Sequence, residues 1–143
     1  MFGRRGRYAS YYARENQSKY RNVKTAGFDS KAERNDYVDL HLLEKAGKIK
    51  YLQRQVSIPL QKKSGGIYYK ADFVYYDCES KEWIIFDTKG MVTDSFRIKK
   101  AWLCDRYTGF IFVTNFRAKG KKELTYPTGS EDLSLVFNER YAT

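Results

Sequence analysis

The sequence predicts a one-domain α/β fold, a mixed central sheet flanked by helices with its elements in the order α-β-β-β-α-β. Three observations carry this. A capping pattern at Ser30-Lys31-Ala32-Glu33 opens a helical stretch. Three runs rich in aromatic and β-branched residues follow, separated by clusters of turn residues, and they read as an antiparallel meander. A second helical pattern then leads into Phe110-Ile111-Phe112-Val113, a continuous apolar run of the kind a buried strand shows. At 143 residues the chain is long enough for one domain with its own core and short for two.

Residues 1–27 read as a basic N-terminal arm, in which Arg4, Arg5, Arg7, Arg14, Lys19, Arg21 and Lys24 face Glu15 alone and apolar periodicity is slight. Such an arm either orders on a polyanion or stays a solvated tail, and Arg4, Arg5 and Arg7 are its expected DNA contacts. Residues 28–143 are the expected globular domain. The first helix is expected over residues 31–46, where Tyr37, Leu40, Leu43 and Ala46 form an apolar stripe and Gly47 is the stop. From Ile49 to Gln61 the chain alternates around Val56, Ile58 and Leu60. Pro59 has no N–H to give to a ladder, so this strand belongs at a sheet edge or in an irregular ladder. Ser64-Gly65-Gly66 turns the chain into the next strand. Further on, Thr93-Asp94-Ser95 is the N-cap region of a second helix, with Phe96, Ile98, Ala101, Trp102 and Leu103 at helical spacing. Beyond Asn115 the pattern fades into a basic loop carrying Arg117, Lys119, Lys121 and Lys122, and residues 133–137 fit either a last strand or a short helix.

The chemistry is concentrated in the hairpin formed by the second and third strands. Asp72 lies in Tyr69-Lys70-Ala71-Asp72-Phe73-Val74, and Asp87 lies in Ile84-Ile85-Phe86-Asp87-Thr88-Lys89. A turn centred on Glu79-Ser80 pairs Asp77 with Glu82 and so brings Asp72 opposite Asp87. Opposed like charges repel, so something positive is expected between them. Lys89, two residues beyond Asp87, falls on the same strand face. Two converging carboxylates with a neighbouring ammonium also suit a hard divalent cation carrying a phosphate oxygen. Asp is disfavoured inside strands, and both acids are set in apolar sequence, which makes a purely structural role hard to sustain.

The bulk charge agrees with a phosphodiester substrate. The chain has 27 Lys+Arg against 17 Asp+Glu, a formal net charge of +10 and a pI near 9.5. Nucleic acid is the commonest partner for such an excess. A membrane partner is not expected, because no long apolar segment or signal-type core is present. Cys78 and Cys104 give neither a disulfide framework nor a zinc spacing, so a reducing cytoplasm is the expected compartment. His41 is the sole histidine and sits mid-helix with no nucleophile motif nearby, which disfavours Ser-His-Asp or Cys-His chemistry.

The ordered set Phe28-Asp29-Ser30-Lys31-Ala32-Glu33, Leu43-Glu44-Lys45-Ala46-Gly47-Lys48-Ile49, Tyr69-Lys70-Ala71-Asp72-Phe73-Val74-Tyr75 and Asp87-Thr88-Lys89-Gly90 resembles the PD-(D/E)XK nuclease superfamily. Within it the chain is most similar to small phage-encoded endonucleases related to Holliday-junction resolvases. The resemblance covers roughly residues 28–113. It departs from the motif at Ala71, which stands for the Pro, and at Asp87, where Glu is commoner and the ligand is one methylene longer.

The resemblance implies a restriction-endonuclease-like core and hydrolysis of DNA by in-line attack with Mg²⁺ or Mn²⁺. Asp72 and Asp87 would be metal ligands together with the Thr88 carbonyl, and Glu33 would serve a second metal site. Lys89 would orient the attacking water and stabilise charge on the phosphorane. A homodimer acting on branched DNA is implied, in the host cytoplasm if the chain is phage-encoded. Lys70, Arg97, Lys99 and Lys100 are expected nucleic-acid contacts, and Gln55 is an expected supporting residue behind the site. Bland readings stand beside these: Glu33 as a helix cap, Lys89 as a mere counter-ion, and the α-helical cations as a solvated face. A nicking or site-specific duplex endonuclease and a catalytically silent nucleic-acid-binding module are the alternative functions.

Overall fold

The computed structural model describes residues 27–63 and 65–143. Arg4, Arg5 and Arg7 of the basic arm, and Ser64 of the turn, lie outside the described residues. The chain divides into two compact units, Met1–Val38 and Asp39–Thr143.

In the first unit, Ser30 caps helix α1 (Lys31–Lys45), its Oγ accepting the Glu33 N–H at 3.0 Å. The rings of Phe28 and Tyr37 pack 5.2 Å apart and fix the entry of the chain into the helix. Glu33 and Asp36 are both buried.

In the second unit, α1 ends one residue earlier than its pattern predicts, because Gly47 takes a left-handed φ of +79°. The Gly47 N–H then reaches Glu44 O at 3.0 Å and the Lys48 N–H reaches Leu43 O at 2.9 Å, which satisfies the last carbonyls of the helix. A mostly antiparallel sheet follows. Its strands are β1 (Ile49–Gln61), β2 (Ile67–Asp77), β3 (Glu82–Thr88), β5 (Ile111–Phe116) and β6 (Lys121–Thr125), in the spatial order β1-β2-β3-β5-β6. Only β3 and β5 run parallel, and α2 (Asp94–Arg106) makes the crossover between them. A small parallel pair, β4 (Tyr107–Thr108) with β7 (Glu131–Asp132), leads into α3 (Leu133–Tyr141).

The expected α-β-β-β-α-β order is present. Pro59 sits in an edge strand whose register shifts between Pro59 and Gln61, as a residue lacking an N–H demands. Two readings of the C-terminal part need correction. The basic loop after Asn115 is a 3₁₀ turn (Arg117–Lys119) followed by β6, whose exposed Lys121, Lys122 and Glu123 masked the strand pattern. Charge on such an edge keeps it from pairing with other chains. The ambiguous segment beginning at Leu133 is a helix, capped by Asp132 through the Ser134 N–H at 2.9 Å.

The core lies on one face of the sheet. Ile58, Ala71, Ile85 and Phe112 from four strands meet Leu103 and Cys104 of α2 and Phe137 of α3. Trp83 joins this cluster and donates from Nε1 to Asn138 Oδ1 at 2.9 Å, so its one polar atom is satisfied. Among the described residues no helix is long and apolar enough to cross a membrane.

Gly129 shows how tightly the C-terminal part is joined to α2. Its N–H donates to Tyr107 O at 3.1 Å, and a Cβ there would fall on the main chain of Arg106 and Tyr107. Gly129→Ala is therefore expected to cost about 1–3 kcal/mol by overpacking against backbone that cannot rotate away. Urea denaturation should show a lower midpoint at an unchanged slope.

Candidate active site

The turn sets the register of the β2–β3 hairpin. Asp77 pairs with Glu82 across the loop Cys78-Glu79-Ser80-Lys81. Asp77 Oδ2 accepts the Ser80 N–H at 3.0 Å and the Ser80 hydroxyl at 2.7 Å, a local bond that holds the turn. Counting back from this pair brings Asp72 level with Asp87, yet the main-chain ladder stops one pair short, at Phe73 and Phe86. There the side chains take over. The Asp72 N–H donates to Asp87 Oδ1 at 2.8 Å, and the Thr88 N–H donates to Asp72 Oδ2 at 2.9 Å.

The ladder ends here because β2 loses its alternation. Tyr69, Ala71 and then Val74 belong to the same core cluster, so Asp72 and Phe73 both stand where a regular strand would place one residue. On β1 the residue at this level is Gln55, a non-glycine residue at φ 52°, between the pairs Arg54–Phe73 and Val56–Ala71. A strained residue beside irregular pairing is the local feature that most often accompanies a working site.

Asp87 is almost sealed, at 1% exposure. Its Oδ2 accepts the Tyr69 hydroxyl and lies 3.8 Å from Lys89 Nζ. Burial pushes its pKa from the ordinary 3.8 to about 6, against the opposing pull of Lys89, the Asp72 N–H and Lys100. The Lys89 ammonium rests 4.6 Å from the Phe96 ring centroid, and its backbone N–H is held by Asn115 O at 3.0 Å. Asp87 and Lys89 open into a cleft of about 240 Å³ whose walls include Tyr69, Lys70, Phe96 and Lys99. A buried acid therefore faces a positively charged mouth.

Residues 13–123 match the family described as protein of unknown function (DUF1064). The chain belongs to the DUF1064 family. No curated protein and no solved structure matches it. The DUF1064 span contains Tyr69, Asp72, Asp87, Lys89 and Thr114, and α3 lies beyond it.

The structure sorts the expected site residues of this DUF1064 member. Asp72, Asp87, Thr88 and Lys89 come together. Lys70 does not sit opposite Lys89, because the β2–β3 ladder ends before it, and it pairs instead with Ser57 of β1. Even so, Lys70 reaches the same cleft, as does Lys99. Arg97 and Lys100 line a neighbouring cleft, where Arg97 meets Asp94 at 3.3 Å. Gln55 is half-buried at the level of Asp72, and Glu33 belongs to the first unit. Among the described residues no group of three or more His, Cys, Asp or Glu side chains is gathered to hold a metal. Two carboxylates and a main-chain carbonyl still suit Mg²⁺, which keeps several waters and takes only one or two protein carboxylates beside a substrate phosphate. Each carboxylate offers about four lone-pair positions, so the bonds described above do not exhaust them.

Two participants were missed in the sequence. Tyr69 reads as an ordinary strand aromatic, and nothing in its spacing announces that its hydroxyl binds Asp87. Thr114 stands beside Asp87 on the parallel strand β5, fully buried, and its Oγ1 has no hydrogen-bond partner among the described residues. An unsatisfied buried hydroxyl costs roughly 1–3 kcal/mol, so Thr114→Val should raise the melting temperature of the metal-free protein by a few degrees. A lower melting temperature would show that the hydroxyl is engaged.

Proposed function

We propose that this DUF1064 member is a divalent-metal-dependent endodeoxyribonuclease, with PD-(D/E)XK chemistry on a restriction-endonuclease-like core. The observation that carries the reading is the interlocked pair at the end of the β2–β3 ladder. Asp72 and Asp87 are each held by main-chain N–H groups of the opposite strand, and the Lys89 ammonium lies 3.8 Å from Asp87. A module that only binds DNA gains nothing from a buried acid that repels the phosphate backbone and costs stability.

Asp72, Asp87 and the Thr88 carbonyl would hold Mg²⁺ or Mn²⁺, which supplies Lewis-acid polarisation of the scissile phosphodiester. The residues of the chain do the rest. The bonds from the Asp72 and Thr88 N–H groups fix both carboxylates before substrate arrives, so no reorganisation is needed at the moment of reaction. Lys89 orients the attacking water through its ammonium and balances negative charge building on phosphorus. Its packing on Phe96 limits the positions that the ammonium can take. Lys70 and Lys99 hold the flanking phosphates at the mouth of the cleft. The formal charge of +10 draws DNA to this face and makes binding fall steeply with salt. Branched DNA, cut by a homodimer with one centre per strand, is the substrate class this reading assigns.

The test uses labelled four-way junction, flap, linear duplex and single strand, each with Mg²⁺, Mn²⁺ or EDTA, and compares wild type with Asp87→Ala. Metal-dependent cutting that prefers a branched substrate and disappears in the variant is expected. Equal cutting by Asp87→Ala removes the mechanism, and binding without cutting on all substrates leaves a silent nucleic-acid-binding module.

A further inference from the structure

We infer that a second cleft, next to the candidate centre, receives one unpaired nucleobase of the DNA strand being cut. The inference rests on the nuclease reading and names the substrate feature that the same site selects. The cleft has a volume of about 380 Å³ and lies between α2 and β6. That is the small end of ligand pockets, which run from roughly 300 to 1,000 Å³, and it suits a single heterocycle.

Its surface divides by chemistry. Val92, Phe96, Ala101 and Cys104 make an apolar lining, Arg97 and Lys100 supply cations, and β6 contributes Glu123 and Thr125. Bases stack on aromatic and apolar side chains whatever their sequence, and cations beside the stack take the flanking phosphates. Glu123 places an acceptor where an exocyclic amino group of cytosine or adenine can donate. A peptide side chain of similar size would fill the apolar part and leave the two cations without anionic partners.

The cleft is also continuous with the centre. Phe96 lines both clefts, so they share a wall. Lys100 ties them together: its ammonium lies 4.0 Å from Glu123 Oε1 and 5.1 Å from the Phe112 ring centroid, and its charge is felt by Asp87. A nucleotide bound here is therefore adjacent to a phosphate held at Asp87 and Lys89. In duplex DNA the faces of a base are covered by its neighbours, and extruding it costs unstacking and unpairing energy, least where the base is already unpaired. The cleft thus favours strands that present an unpaired base beside the cut, as branch points and flaps do.

The experiment uses the full chain in EDTA with flap DNA carrying 2-aminopurine at successive positions around the branch, and with fully paired duplex as reference. A fluorescence change confined to one unpaired position is expected on binding. Ala101→Trp, placed on the exposed surface of α2 and directed at the cleft, should abolish that change. It should also lower the ratio of flap to duplex affinity on the order of tenfold, as loss of one stacked base does. Thermal melting checks that the variant is folded. Glu123→Gln, a milder change, should alter the preference among bases at that position. No position-specific change in wild type overturns the inference, as does an unaltered affinity ratio in folded Ala101→Trp. A shift in oligomeric state by Ala101→Trp with DNA binding intact also overturns it and makes the cleft a protein interface. Because binding is read without metal, the two readings fail separately: a positional signal without cutting in Mg²⁺ removes the nuclease, and cutting without the signal removes the base cleft.

Discussion

Asp87→Asn is expected to stabilise the metal-free protein while eliminating metal-dependent cleavage. The substitution keeps the volume of the side chain and an oxygen able to accept the Asp72 N–H now held at 2.8 Å. It removes a charge that burial penalises more than Lys89 and Lys100 compensate, as the rise of the pKa from 3.8 to about 6 records. At about 1.4 kcal/mol for each tenfold change in proton affinity, the ionised carboxylate costs the folded state on the order of 3 kcal/mol at neutral pH. Lys89 loses its partner in the variant, so a net gain of about 1–2 kcal/mol is expected, which is a few degrees in melting temperature. The pH dependence gives the sign. The folded state holds its proton more tightly than the unfolded chain, so the stability linked to Asp87 is fully present below about 3.8 and is lost as pH rises through about 6. Melting curves in EDTA should therefore coincide for wild type and Asp87→Asn at the acid end and separate by neutral pH. A destabilised variant at neutral pH would mean that the charged form is favoured in the folded protein. Stability surrendered at a charged centre and recovered by neutralising it is the usual trade between fold and activity.

The hairpin was legible because short-range chemistry dictates it. Asp77 bonds Ser80 within the turn, and this fixes which residues face each other for the whole of β2 and β3. The start of α1 was legible for the same reason, since the Ser30 cap is a contact over three residues. What escaped depends on contacts that no local pattern encodes. The ladder's early end arises from a slip of face at Asp72 beside a left-handed Gln55, and neither residue type signals such a conformation. Tyr69 is separated from Asp87 by eighteen positions and is one tyrosine among 13. Strand β6 is held by main-chain pairing to β5, so its exposed charged side chains read as a loop. The carboxylates were visible because acids are unwelcome in apolar strands, whereas the hydroxyls that surround Asp87 are unremarkable anywhere.

Lys89→Met should separate a catalytic lysine from a simple counter-ion. Methionine keeps an unbranched stem that can still pack on Phe96, where the ammonium now lies 4.6 Å from the ring centroid, so the fold should tolerate the change. If Lys89 orients the attacking water and balances charge on phosphorus, cleavage at saturating metal should fall about 10²–10⁴-fold. Affinity for DNA in EDTA should change little, because one cation is removed from a surface with many. A second consequence follows from the charge that Lys89 places beside Asp87. Lys89 holds the Asp87 pKa down, so its removal lifts that pKa above about 6 and leaves more of the carboxyl protonated at neutral pH. Metal must then displace a proton in order to bind, and the Mn²⁺ concentration giving half-maximal cutting should rise and then recover in more alkaline buffer. A counter-ion role alone predicts only this second effect, fully reversed by excess metal at high pH. Cleavage rates measured against Mn²⁺ at two pH values, beside filter binding in EDTA, tell the two apart. A variant whose maximal rate stays within a few-fold of wild type would leave Lys89 as a structural charge and move the search for the water-orienting group to Tyr69 and Lys99, which share the cleft with Asp87.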